Sequence, residues 1–283
     1  MVYQWYPGHM TKAMRMMKDD IKLIDLVIEL VDARIPMSSR NPDIDKLAQG
    51  KSRMILLNKS DLADETGNKI WSDYFTSLGF TVVLINSKTG QGIKSINSAI
   101  QTACKEKIER DRKKGIINRP VRAMVVGIPN VGKSTFINSL AGKSCTKTGN
   151  KPGVTKGKQW IRLNKNVELL DTPGVLWPKF EDKHTGMMIA FIGSINDEIL
   201  DREEMSLDLI NYLKEVKSGV LSNRYGINEE LPAIDILSEI AKERNCLLKG
   251  GIYDTKKAAT MLIDDFRSSK LDRITLEYPV KNE

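Results

Sequence analysis

Three short stretches hold residue types whose spacing points to chemistry. Gly127-Ile-Pro-Asn130-Val131-Gly132-Lys133-Ser134 fits the pattern G-x-x-x-x-G-K-[ST], follows an apolar β-branched run at 121–126, and leads into a helix-forming segment that starts at Thr135. Glycines let the backbone wrap a phosphate, whose oxygens accept from amides at the start of the following helix. Lys133 is placed to neutralise β- and γ-phosphates, and the Ser134 hydroxyl to enter a Mg²⁺ shell.

Asp171-Thr172-Pro173-Gly174 ends a second apolar run and reads as D-x-x-G. Such an aspartate holds Mg²⁺ through water, and the glycine amide senses a γ-phosphate. Between the two motifs lies Gly153-Val-Thr155, and Thr155 is the candidate switch threonine that joins the Mg²⁺ shell with a triphosphate bound.

The third stretch, Asn58-Lys59-Ser-Asp61, selects the base. Guanine offers an N1 hydrogen and a 2-amino group, two donors that one carboxylate can accept together. Asp61 supplies those acceptors, Asn58 is expected on the purine's other edge, and the Lys59 stem is expected to pack along base and phosphate loop. Adenine lacks that donor pair, and an unpaired carboxylate would be costly. Asn86-Ser87-Lys88, at the end of the next apolar run, forms the loop expected to support the base from the other side. GTP is thus the expected ligand. An ATP-using phosphate-loop enzyme is the reading that Asn58 and Asp61 oppose.

These residues must come from strand ends. Apolar runs at 24–31, 53–57, 81–85, 121–126 and 167–170 alternate with helix-like stretches such as 67–78 and 91–108, predicting an α/β fold with a mostly parallel sheet covered on both faces. Residues 159–163 (QWIRL) predict an antiparallel edge strand. From about 195 to 275 apolar residues recur at helical spacing with no strand run, predicting an all-helical second domain. The expected division is 1–183 and 184–283. The motif order, base readers before phosphate loop before switches, is rotated from the usual one. Because a sheet needs only that its strands reach the right positions, the order predicts a circular permutation, with the basic stretch 105–120 joining the halves.

Charge is unevenly spread. The chain of 283 residues carries net charge +8, but 190–283 hold 13 Lys/Arg against 18 Asp/Glu, and 1–189 hold 31 against 18. The first part is therefore expected to meet a polyanion. From Lys143 to Lys165 there are seven basic residues and no acidic one; Lys143, Lys147, Lys151, Lys156, Lys158 and Arg162 are the residues expected to meet it. Lys256, Lys257, Arg267, Lys270 and Arg273 are expected to add to them from the helical part. No apolar run nears the ~18–20 residues that span a bilayer. The amino terminus has no secretory pattern, and the isolated Cys104, Cys145 and Cys246 suggest neither a metal knuckle nor a disulfide framework. A cytoplasmic monomer without a membrane partner is the expectation.

The rotated order, NKSD, GIPNVGKS, DTPG and the amino-terminal Pro7-Gly8-His9-Met10 together resemble the circularly permuted GTPases, most closely the ribosome biogenesis GTPase A (YlqF) group, over nearly the whole chain. The resemblance implies GTP hydrolysis in late assembly of the large ribosomal subunit, binding to ribosomal RNA and proteins, with RNA the polyanion that the basic residues meet, and stimulation of hydrolysis by the particle. It also implies that Asn130 coordinates K⁺ beside the phosphates. A nucleotide-dependent RNA-binding module with negligible turnover is the competing reading. After Gly174 come Val175, Leu176 and Trp177, none able to orient a water, so a histidine is expected to do so. The resemblance favours His9, with the first helix beginning near Thr11, over His184 in the segment that leaves the D-x-x-G motif.

Overall fold

The computed structural model describes Tyr3 and residues 5–116, 119–142, 159–180 and 182–279. Six strands form one sheet: β1 (Leu26–Asp32), β2 (Ser52–Asn58), β3 (Thr81–Leu84), β4 (Val121–Val126), β5 (Gln159–Asn164) and β6 (Val167–Asp171). Their spatial order is β3-β2-β1-β4-β6-β5, all parallel except β5, which pairs antiparallel with β6 at the edge. The central strand β1 is buried along its whole length, as a parallel strand covered on both faces must be. Along β2 side chains alternate between two cores. Leu26, Ile28 and Leu30 join Met54 and Leu56 on one face, while Val31, Ile55 and Leu57 meet Trp71 and Phe75 on the other. On β5, Ile161 is buried between the exposed Trp160 and Arg162, so one covered face makes the edge strand amphipathic.

Helices α1 (Gly8–Asp20), α2 (Pro42–Leu47), α3 (Glu65–Ser77), α4 (Ile96–Ala103), α5 (Lys105–Lys113) and α6 (Lys133–Ala141) accompany the sheet. The first begins at Gly8, three residues before the expected start, with Pro7 as its extended N-cap. Asn41 caps α2 by accepting from Asp43 N ahead of Pro42, and Asp64 caps α3 by accepting from Gly67 N. The expected basic link between the halves contains α5, whose charges are partly used: Lys107 reaches Asp25 at 3.4 Å and Asp111 at 2.8 Å, and Arg119 reaches Asp25 at 3.5 Å.

The rest of the described chain is helical: α7 (Lys183–Phe191), α8 (Arg202–Val216), α9 (Val220–Tyr225), α10 (Ala233–Glu243) and α11 (Thr255–Arg267). Its buried residues continue the larger core without a break from the sheet. The amino-terminal arm ties the two together, since Tyr3 Oη donates to Asp208 on α8 at 2.6 Å. Helical spacing up to about 275 is corrected here. The last helix stops at Arg267, Ser269 turns left-handed at φ 58°, and 271–279 return outside regular secondary structure across α3 and the turn after β2. Among the described residues no helix is long and apolar enough to cross a membrane.

Candidate nucleotide site

Strand order explains the motif order. β4, which leads into the phosphate loop, lies between β1 and β6, so chain connections leave in opposite directions on its two sides. The crevice at the carboxyl ends of such strands is where open α/β sheets bind ligands. Asp32 is in register with Asn58, and Val125 with Asp171, so the base-reading and D-x-x-G ends reach the same edge.

The phosphate loop is built on backbone that favours glycine. Gly132 has φ 103°, and a Cβ there would stand 2.4 Å from Asn58 Nδ2. Lys133 is buried and its ammonium donates to the carbonyls of Gly127 (2.9 Å) and Ile128 (3.0 Å). Burial lowers its pKa to about 8 against the opposing pull of Asp171. Val131 is buried, and Ser134 and Thr135 lie on the first turn of α6. Gly174 meets this loop so closely that a Cβ would stand 2.8 Å from Pro129 Cα and 3.1 Å from Lys133 Nζ, and Val175 N donates to Gly127 O at 3.3 Å. Asp171 is buried, and neither carboxylate oxygen has a side-chain partner among the described residues. Burial raises its pKa to about 6, offset in part by Lys133 and by the Thr172 amide.

Asn58 is held by the loops on either side of it. Its Oδ1 accepts from Ser87 N (3.0 Å) and Ser87 Oγ (2.8 Å), and its Nδ2 donates to Val131 O (2.7 Å). The side chain clasps the phosphate loop to the base-supporting loop, with one Nδ2 hydrogen beyond the clasp. Asn86 closes its own turn by accepting from Lys88 N and Thr89 N, which presents Lys88 to solvent. Asp61 is exposed at the mouth of the site and accepts no hydrogen bond among the described residues. Lys59, at φ 57°, sends its ammonium to Asp32 at 2.8 Å. Asp32 also takes a bidentate pair from Arg34, at 2.9 and 2.8 Å. Burial would raise the Asp32 pKa, but the two cations outweigh it and hold the carboxyl well below the ordinary range.

Sequence reasoning missed this cluster. The signal was a strand running straight into Asp32-Ala-Arg34, charged residues at an edge where the register would set them beside Asn58 and Lys59. It also missed Asn41, whose Nδ2 donates to Val175 O at 3.1 Å and Leu176 O at 3.4 Å, and Met10, whose sulfur receives Leu176 N at 3.4 Å. Val175, Leu176 and Trp177 are therefore buried. His9, next to Met10, is exposed on the first turn of α1 with its ring 6.3 Å from Trp5. His184 faces Tyr212 of α8 at 5.6 Å, within the helical part.

The helical part touches the phosphate loop directly. Asn130 Nδ2 donates to Gly193 O at 2.7 Å, and Ser194 Oγ donates to Pro129 O at 2.6 Å. Arg267 is used internally, bidentate on Asp197 and donating to Ala190 O and Phe191 O. Arg273 likewise donates to Ala63 O and Ser60 O and pairs with Glu65. Both were expected among the RNA contacts and are corrected to structural roles, whereas Lys256, Lys257 and Lys270 are exposed. Thr155, Lys143, Lys147, Lys151, Lys156 and Lys158 lie outside the described residues; Arg162 is exposed on β5.

Comparison with known proteins agrees with this geometry. Residues 122–235 match a family described as "50S ribosome-binding GTPase", a span that holds the phosphate loop and D-x-x-G but not the base readers, which precede it here. The ribosome biogenesis GTPase A of Bacillus cereus is 46% identical over 99% of this chain and 95% of its own length, and that of Thermotoga maritima is 32% identical over 97% and 94%. Among solved structures, GDP-bound TM YlqF is 27% identical, with TM-score 0.69, covering 94% of this chain and 99% of that one. GNP-bound YlqF from T. maritima is 27% identical, with TM-score 0.66, over 95% and 99%. With its base readers, phosphate loop and D-x-x-G gathered at one sheet edge in permuted order, this chain belongs to the ribosome biogenesis GTPase A family and is a GTPase, converting GTP and water to GDP and phosphate.

Proposed function

We propose that this GTPase acts in late assembly of the large (50S) ribosomal subunit, as a cytoplasmic monomer that binds ribosomal RNA and proteins, and that the immature particle stimulates its hydrolysis. The observation that carries the nucleotide part is the Asn58 clasp, which joins base reader, base-supporting loop and phosphate loop into one site. The ribosomal part is supported by likeness to relatives so named over nearly the full chain. We divide the chain into 1–183, which holds the nucleotide motifs, and 184–283. Single-turnover hydrolysis with and without large subunits tests the reading. A rise on addition of particles supports it, and an unchanged rate despite tight binding favours the RNA-binding module.

Mg²⁺ fits the residues present. The two buried Asp171 oxygens, without side-chain partners among the described residues, are what a hydrated cation would satisfy, with the Ser134 hydroxyl and Thr155 completing the protein's share. When bound it neutralises charge on the β- and γ-phosphates. Asn58, Lys59, Asp61, Asn86, Ser87 and Lys88 hold the base end, and Asn130, Val131, Gly132, Lys133, Ser134, Thr135, Thr155 and Gly174 the phosphate end. Asn130 Oδ1 is assigned to K⁺. Its nitrogen already faces Gly193, which fixes the amide and sets Oδ1 on its other branch. Hydrolysis should therefore run faster in K⁺ than in matched Na⁺ buffer, and equal rates would remove the assignment.

His9 is assigned to position the attacking water. Support comes from its place beside Met10, which is packed under the backbone that follows D-x-x-G. His9→Ala should keep GTP binding and lose particle-stimulated hydrolysis on the order of 10²-fold, with a smaller loss for His184→Ala. Stimulated turnover that survives His9→Ala would make His9 a packing residue. RNA contact is assigned to the basic run. Neutral substitutions at Lys156 and Lys158 should flatten the salt dependence of binding by ~0.7–0.9 log units per log salt for every RNA phosphate that is no longer neutralised. An unchanged slope would return the run to a solvated face.

A further inference from the structure

The turn that carries Asp61 spans residues 59–62 and is closed by Leu62 N donating to Lys59 O at 2.9 Å. On its inner side Ser60 is anchored to the end of β3, where Ser60 N and Oγ both donate to Ile85 O, at 3.2 and 3.1 Å. On its outer side Asn68 Nδ2 of α3 donates to Ser60 O (2.8 Å), and the other partners come from the carboxy-terminal strap, more than two hundred positions away. Arg273 Nη2 donates to Ser60 O (3.2 Å) and its Nε to Ala63 O (2.9 Å), while Ile274 N donates to Leu62 O (3.0 Å). Thr275 N and Tyr278 Oη both donate to Asp64 Oδ2, at 3.2 and 3.0 Å. The strap thus holds the backbone carbonyls on both sides of Asp61, Leu62 O through Ile274 and Ser60 O through Arg273 together with Asn68.

The strap is itself anchored. Ile274 and Leu276 are buried, Leu276 N donates to Arg34 O at 2.8 Å, and the Glu277 carboxylate receives Ser38 N (2.8 Å) and Ser38 Oγ (2.5 Å). Trp71 Nε1 donates to Glu277 O at 2.8 Å. Gly67 lies so close beneath it that a Cβ would stand 2.3 Å from Thr275 Oγ1.

We propose that the strap, through Arg273 and the 274–278 backbone, positions Asp61 and so sets how tightly and how selectively the site holds a guanine nucleotide. A carboxylate that must accept from N1–H and the 2-amino group together needs its turn fixed, because a small rotation keeps one hydrogen bond and breaks the other. Asp61 is exposed and its carboxylate has no partner among the described residues, so its orientation comes from the backbone on either side. The strap follows directly on α11, so the last helix of the carboxy-terminal part is joined through a short segment to the base-reading turn.

The proposal rests on Asp61 as the guanine reader, and one set of measurements separates the two. Inosine triphosphate lacks only the 2-amino group, so the ratio of GTP to ITP affinity reports the second hydrogen bond. Arg273→Ala should speed dissociation of a fluorescent GDP about 10-fold and lower the GTP/ITP ratio. Arg273→Lys, which still donates to a carbonyl, should recover part of both. Gly67→Ala, which lifts the strap without changing the Arg273 side chain itself, should act in the same direction. In an Asp61→Ala background Arg273→Ala should change neither quantity further. Wild-type dissociation and GTP/ITP ratio in Arg273→Ala and Gly67→Ala, with Asp61→Ala lowering the ratio, would overturn the strap's role alone. Equal effects of Arg273→Ala with and without Asp61 would also overturn it, by showing general loosening. An Asp61→Ala protein with an unchanged ratio would overturn the base-reader assignment and the strap with it.

Discussion

Asp61→Asn should lower GTP affinity on the order of 10²–10⁴-fold and move preference toward xanthosine triphosphate. The range follows from two hydrogen bonds to a charged acceptor at ~1.5–3 kcal/mol each. Asparagine offers one acceptor and one donor. Guanine's two donors then meet a mismatch, whereas xanthine keeps the N1 hydrogen and presents an oxygen in place of the amino group. Asp61 is exposed and without a partner among the described residues, so the substitution leaves no internal group unsatisfied and the fold should melt as the native chain does. Competition of GTP, XTP and ATP against a fluorescent guanine nucleotide measures the effect. Undiminished GTP binding would mean that this turn does not read the base.

Asp32→Asn should destabilise the protein by about 3–5 kcal/mol, the usual cost of removing one partner from a buried ion pair. Arg34 is 2% exposed and Lys59 reaches the same carboxylate, so the variant leaves two cations facing a neutral amide. Arg34 also lies 5.4 Å over the Phe266 ring, and the loss should spread to the seat of α11. The pH dependence carries a sign. A carboxyl whose pKa is lowered on folding contributes stability that is fully present above its unfolded value of ~3.9 and fades as pH falls below it. The gap between native protein and variant in urea unfolding should therefore be widest near neutral pH and narrow in acid. A gap under about 1 kcal/mol at pH 7 would show that Arg34 and Lys59 find other partners or water.

Much of the architecture was legible because it is local. Runs such as 24–31 and 121–126 are apolar almost throughout, as parallel strands buried on both faces must be, and QWIRL alternates because only one face of an edge strand is covered. The phosphate loop, D-x-x-G and base readers declare themselves because their chemistry belongs to consecutive residues. Their rotated order needed no coordinates, only the argument that strands must reach one edge.

The helical reading ran on past Arg267 to about 275 because apolar residues recur at helical spacing along that stretch. Only the docked strap shows that Leu271, Ile274 and Leu276 are buried in the larger core, while its backbone is hydrogen-bonded to α3 and the turn after β2. Asn58 as a clasp, Asn41 under the D-x-x-G backbone, the Asp32–Arg34–Lys59 cluster and Arg273 beside the guanine turn all join residues remote in the chain or set by register between strands. Residue type and spacing determined which groups could meet a guanine nucleotide. Tertiary structure decided which of them are free to meet it, because a buried donor or acceptor takes whatever partner the packing brings within about 3 Å, and packing is non-local.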